Sequence, residues 1–206
     1  MEAKQLDQFL TQLTENPMTF VPVKEKPNPN DLANQITHYI FLGGYDGRIQ
    51  QFCKLNKINR VLNVGAQLYP VGPDVVYKRV EVADKLDENI SKYFQECTEF
   101  IMKAVKAKER ILVHCQGGIS RAPTILTALL QVCFPKTSVD QIIKQLKERR
   151  PQVNPNPNFM RQLYAFEVEC KNVHLRDLLP KICPNYNLRE LSDSTKKNES
   201  ETSKSV

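Results

Sequence analysis

Apolar residues recur along this chain in two rhythms, and the alternation of those rhythms predicts its architecture. Ile90, Tyr93, Phe94, Cys97, Phe100, Ile101, Ala104 and Val105 keep the spacing of one helix face, which predicts a helix running from Asn89. Ile125, Leu126, Leu129, Leu130 and Cys133 repeat that spacing after Thr124, with Pro123 suited to the first turn, where a missing N–H is no loss. Further helices are expected over Arg48 to Leu55, over Thr137 to Glu148 with Ser138 at its start, and over Phe159 to about Asn172, where Phe159, Leu163, Phe166 and Cys170 carry the stripe. Short β-branched and aromatic runs separate them: His38 to Leu42, Arg60 to Val64, Val75 to Val82 and Ile111 to Val113. Strands alternating with helices predict an α/β fold with a mostly parallel central sheet and helices on both faces.

The ends break the pattern. Leu6, Phe9, Leu10 and Leu13 can share one face of a short helix, but Pro17, Pro22, Pro27 and Pro29 interrupt any regular structure beyond it. Residues 1–33 are therefore expected to form an extension packed on, or beside, the main domain of residues 34–175. Residues 176–206 are expected to form a C-terminal tail; after about Pro184 Ser, Thr, Lys, Glu and Asn dominate, and disorder is expected from about residue 190.

Composition narrows the setting. The six cysteines are scattered singly with no C-x-x-C pair, and the three histidines are dispersed, so no structural zinc site is expected. No run is long and apolar enough to span a membrane, nothing resembles a signal peptide, and no lipidation motif stands at either end. The expectation is a chain without a membrane anchor, working in the reducing cytoplasm or nucleus. A formal net charge of +6 suits anionic partners. Two basic clusters, Lys103 to Arg110 and Lys144 to Arg150, are mixed with Glu and read as solvated helix faces. No basic stretch interleaved with aromatics points to nucleic acid.

Chemistry concentrates at Ile111-Leu112-Val113-His114-Cys115-Gln116-Gly117-Gly118-Ile119-Ser120-Arg121-Ala122-Pro123-Thr124. A strand feeds a short glycine-containing loop that opens directly into a helix. Backbone N–H groups of residues 116 to 121 can then turn toward one point at the positive end of that helix, which makes an anion site. Arg121 adds a planar guanidinium able to hold two phosphate oxygens. A cysteine in such a field ionises more readily than a free thiol, so Cys115 is expected to be a thiolate able to attack phosphorus.

His-Cys-x-x-Gly-x-Ser-Arg resembles the signature of the cysteine-based protein phosphatases, in particular the dual-specificity branch. Tyr-Ile-Phe-Leu-Gly-Gly at residues 39–44, the run Ile58 to Val64, and Arg-Arg-Pro followed by Pro-Asn-x-x-Phe-Met-x-Gln-Leu extend the resemblance over roughly residues 34 to 172. It implies a small, atypical dual-specificity phosphatase acting on phosphorylated protein, with Cys115 as nucleophile and Arg121 stabilising the transferred phosphoryl group. Gln116, Gly117, Gly118, Ile119 and Ser120 would cradle the phosphate, and His114 would orient the loop. No metal or organic cofactor is implied, and a shallow pocket open to phosphotyrosine and phosphoserine or phosphothreonine is expected.

Such chemistry needs an acid for the leaving oxygen, and the loop from Ala83 offers Asp84, Asp87 and Glu88. Asp87 also fits a charge at a helix N-terminus. Set against the family pattern, Ser91-Lys92-Tyr93-Phe94 puts the acid on Asp84. One departure matters: Ala122 stands where the family usually has Ser or Thr, a feature resembling the phosphatases of regenerating liver. Loss of that hydroxyl implies slow breakdown of a phosphocysteine intermediate. A slow enzyme acting chiefly as a phosphoprotein-binding module is therefore an alternative, as is removal of phosphate from RNA 5′ ends or lipids. The neutral loop, without the lysines frequent in inositol-lipid phosphatases, favours phosphoprotein.

Overall fold

The structure, a computed structural model, describes residues 18–23, 27–28, 30–65, 67 and 71–172. The expected helix over Leu6 to Leu13, the tail, His174 and Cys183 lie outside these residues. Five strands form one sheet: β1 (Ala33–Gln35), β2 (Ile40–Gly43), β3 (Ile58–Val64), β4 (Val76–Val80) and β5 (Arg110–His114), ordered β1-β2-β5-β3-β4. β2, β5, β3 and β4 run parallel, and β1 joins β2 antiparallel at one edge. The sheet is thus mostly parallel, as expected, and β5 is its central strand.

Side chains alternate across the strands and split the core in two. Leu42, Leu62, Ile111 and Val113 face a layer of α2 (Phe94–Lys106), α3 (Arg121–Cys133), α4 (Val139–Arg149) and α5 (Pro157–Asn172). Phe41, Val61 and Leu112 face the other way, against Ile49 and Cys53 of the short α1 (Ile49–Leu55). Helices therefore cover both faces, unequally. α3 is buried at every residue after Arg121, since the sheet and three helices surround it. Its hydroxyls are satisfied within the turn: Thr124 Oγ1 donates to the Ser120 carbonyl and Thr127 Oγ1 to that of Pro123, each at 2.8 Å. α4 starts where expected, with a reciprocal cap between Ser138 and Gln141. Among the described residues, no helix is long and apolar enough to cross a membrane.

Three expectations need correction. The helix expected from Asn89 begins as a 3-10 turn at Ser91–Tyr93, and the α-helix starts at Phe94. Glu88 and Ser91 are pinned to α5: the Glu88 carbonyl accepts from Asn158 (2.7 Å) and Gln162 (2.8 Å), and the Ser91 amide donates to Gln162 Oε1 (2.9 Å). Those tertiary bonds hold the chain off helical geometry until Phe94. The third expected strand shrinks to Val76–Val80, because only that stretch pairs with β3. Finally, Arg149 and Arg150 do not lie on a solvated face. They end α4 and turn inward, leaving 8% and 2% of their surface exposed. Arg149 Nε donates to the Val21 carbonyl at 3.0 Å, and its guanidinium lies 4.6 Å from the centre of the Phe20 ring. That clamps residues 18–23 onto the domain, where Met18 is buried in the main core.

Candidate active site

β5 ends at His114, between Gly43 of β2 and Asn63 of β3, so the loop after it emerges at the carboxyl edge of the sheet's centre. Cys115 comes next at 2% exposure, and its amide donates to the Gly43 carbonyl at 3.4 Å. From Gln116 to Ser120 each carbonyl is engaged by a donor outside the loop or in the helix beyond it. Gln116 O accepts from the Tyr45 amide (2.8 Å), and Ile119 O from the Asn154 amide (2.7 Å). Gly117 O and Gly118 O accept from Nη2 and Nε of Arg150, each at 3.0 Å. Ser120 O accepts from the amide (3.0 Å) and hydroxyl (2.8 Å) of Thr124. Peptide units are rigid, so tying the carbonyls outward swings the amides toward the opposite side.

Two glycines make this curl possible. Gly118 has φ +63°, and a Cβ there would fall 2.4 Å from the backbone carbon and oxygen of Gly43. At Gly44 a Cβ would meet Gln116 O at 2.9 Å. The end of β2 and the loop are pressed together backbone to backbone, which only glycine permits.

Arg121 opens α3 at the loop's end. Its Nη1 donates to the Val82 carbonyl at 3.1 Å, while its Nε is buried without a hydrogen-bond acceptor. A buried guanidinium donor left open in this way suits an incoming anion. Across from it lies Asp84, whose Oδ2 stands 3.6 Å from Arg121 Nε. Asp84 Oδ1 accepts from Ser120 Oγ and Asn156 Nδ2, both at 2.8 Å. The other acids of that loop are placed differently. Glu88 folds back onto the Ala83 amide (3.1 Å); Asp84 and Asp87 are both exposed, and what sets Asp84 apart is its contact with Ser120, Asn156 and Arg121.

His114 is fully buried, with Nδ1 3.3 Å from the Cys115 carbonyl oxygen. Burial pushes its pKa down to about 4, against a smaller opposing effect of that carbonyl, so the ring is neutral at pH 7. It does not serve as a cation.

The structure therefore brings Cys115, Gln116 to Ser120, Arg121 and Asp84 to one place, with His114 beneath. Two further residues join them: Asn156, which in the sequence stands out only as part of the family resemblance, and Arg150, which also belongs to the basic cluster expected on a solvated face. Asn156 also donates its backbone amide to Ser120 Oγ (3.1 Å) and accepts from the Phe159 amide (2.9 Å) at the start of α5. The Arg-Arg-Pro and Pro-Asn motifs are the signal that could have found them. What they touch is not visible without the fold.

A cysteine opening a loop whose amides are swung to one side, with a guanidinium at its end and a carboxylate opposite, is the make-up of a phosphate-handling site. The comparisons agree. The sequence model of the dual specificity phosphatase catalytic domain matches residues 40–169. Dual specificity protein phosphatase 1B of Arabidopsis thaliana is 35% identical over 136 residues, 65% of this chain and 81% of that protein. Dual specificity protein phosphatase 1 of the same plant is 40% identical over 115 residues, covering 55% of this chain and 58% of its own length. The crystal structure of DUSP15 superposes with a TM-score of 0.67 at 28% identity, over 75% of this chain and 97% of that one. This chain belongs to the dual specificity phosphatase family, with the catalytic domain of a protein phosphatase on a protein tyrosine phosphatase-like fold.

Proposed function

We propose that this domain hydrolyses phosphotyrosine and phosphoserine or phosphothreonine in proteins through a phosphocysteine formed on Cys115. The Cys115 sulfur attacks phosphorus while the amides of Gln116 to Ser120 and the Arg121 guanidinium hold the equatorial oxygens, where negative charge sits in the transition state. Asp84 gives its proton to the departing oxygen of the side chain. In the second step Asp84, now a carboxylate, takes a proton from water as that water attacks the phosphocysteine. The S–P bond breaks, inorganic phosphate leaves, and the thiolate and the carboxylic acid are restored. Ser120 and Asn156 keep the Asp84 carboxyl oriented through both steps.

The observation that carries this reading is the tethering of four successive carbonyls, from Gln116 to Ile119, by donors outside the loop, which orients the amides of Gly117 to Ser120 together. Phosphoprotein is favoured over RNA ends and lipids because the loop side chains are uncharged up to Arg121. The reaction needs a reduced thiol, which fits the cytoplasm or nucleus. The test is Asp84→Asn, assayed with aryl phosphates of graded leaving-group basicity and with a panel of phosphopeptides, 5′-phosphorylated RNA and phosphoinositides. Turnover should fall about 100-fold or more for basic leaving groups and little for acidic ones, since general acid catalysis typically contributes ~10²–10⁴-fold. Equal losses across the series would reject Asp84 as the acid, and preferential turnover of RNA or lipid would reject the substrate class.

A further inference from the structure

Arg150 is a buried cation whose hydrogen-bond partners are all neutral. Its five donors sit in a rigid planar fork. Nε and Nη2 take the carbonyls of Gly118 and Gly117, and Nη1 takes the Asp31 carbonyl at 3.2 Å and Asn34 Oδ1 at 2.8 Å. At 2% exposure it forms no ion pair with a carboxylate among the described residues. A buried charge without a counter-charge is strongly disfavoured, and a guanidinium does not escape by losing its proton. The one carboxylate whose charge reaches it, Asp31, is exposed and makes no ion pair with it, so most of this permanent positive charge behind the loop is left to be answered from the loop itself.

We propose that Arg150 is a positioning residue: from behind the loop it braces the Gly117 and Gly118 carbonyls, and its charge is answered by the Cys115 thiolate. This rests on the reading of Cys115 as nucleophile. One side chain then does two things at once. It holds the peptide units that turn the amides of Gly118 and Ile119 toward the phosphate, and it favours the ionised sulfur before substrate arrives. Burial lowers the proton affinity of Arg150, and the Cys115 charge and then Asp31 act in the opposite direction. The other groups around Cys115 leave this role open. His114 beneath it is neutral, Arg121 at the far end of the loop faces Asp84, and Tyr45 reaches the loop through its backbone amide. Asp31 is exposed beyond the guanidinium.

The test is the rate at which neutral iodoacetamide alkylates Cys115, followed by mass spectrometry from about pH 5 to pH 10 in the whole protein. Arg150→Gln should react about tenfold more slowly than the unaltered protein near pH 6 and equally fast near pH 10, because only the thiolate fraction changes. Arg150→Lys keeps the charge but not the fork. It should alkylate near pH 6 within about twofold of the unaltered protein, while kcat/KM for a phosphopeptide falls at least about tenfold. Asn34→Asp serves if Arg150→Gln does not fold: a carboxylate placed against Nη1 offsets the charge and should slow alkylation near pH 6 by several-fold. A folded Arg150→Gln or Asn34→Asp with an unchanged profile, or Arg150→Lys as slow as Arg150→Gln, overturns the proposal. If Cys115 of the unaltered protein behaves as a free cysteine, the nucleophile reading fails and Arg150 falls with it; if only the variants fail to respond, Arg150 falls alone.

Discussion

His114 makes this domain acid-sensitive between pH 7 and pH 5, above the ordinary values of the Asp46 and Glu167 carboxylates. Its imidazole has no exposed surface, and burial holds its pKa at about 4, against 6.5 for the free side chain. Between those two values the unfolded chain binds a proton and the folded one does not. Stability from this residue is therefore complete above about pH 6.5 and is lost as pH falls toward 4. The full difference of two and a half units corresponds to about 3 kcal/mol, of which about 2 kcal/mol is lost between pH 7 and pH 5. Against a total of roughly 5–15 kcal/mol for a domain, that is a large fraction. Asp46 and Glu167 are held below their ordinary values of 3.8 and 4.5 by Arg48 and Lys171, so their loss comes at lower pH. Urea unfolding at pH 7 and at pH 5 reads the effect directly. Calorimetry should show the melting temperature falling by about 4–8 °C over the same interval. In His114→Asn, whatever its absolute stability, the slope between pH 7 and pH 5 should flatten. A slope that survives the substitution, or one absent from the unaltered protein, would show that His114 is not the group being charged.

The same geometry has other consequences. Gly118→Ala puts a side chain at φ +63° and a Cβ 2.4 Å from the Gly43 backbone, so it should destabilise by roughly 2–6 kcal/mol from strain and overpacking together; a loss under about 1 kcal/mol in urea titration would mean that the loop relaxes freely. Ala122 is fully buried in the first turn of α3, directly after Arg121. Ala122→Ser restores a hydroxyl whose hydrogen bond to the leaving sulfur is worth roughly 1.5–3 kcal/mol, so steady-state turnover should rise about ten- to a hundred-fold and the phosphocysteine burst should shrink. Unchanged rate and burst would mean that hydrolysis of the intermediate does not limit turnover.

What could be read from the sequence was local. The strand, glycines, cysteine and arginine of residues 111–124 are contiguous, and both the helix after the loop and the capped start of α4 carry their own signals. The three residues of β1 have no period of their own to detect, and their pairing with β2 is decided by tertiary contact. The start of α2 is likewise set by bonds from α5, some seventy residues on. Burial of Arg149 and Arg150 was masked by composition: two arginines after Lys and Glu look like any solvated helix end. Nothing in the local pattern separates them from Lys144 or Lys147, which share the helix.

The connection between α4 and α5 looks by sequence like a turn-rich bridge, yet it organises the site from outside. Arg149 fastens residues 18–23, Arg150 takes two loop carbonyls, the Asn154 amide takes a third, and Asn156 orients both Ser120 and Asp84. Pro151, Pro155 and Pro157 stiffen it, each fixing its own φ and restricting the residue before it. A flexible linker could not hold these donors in register, because each must be placed to within a few tenths of an ångström to keep a hydrogen bond. In the proposed mechanism the reacting groups come from the loop after β5 and from Asp84. Arg150, Asn154 and Asn156, which carry out none of that chemistry, brace them from this connection.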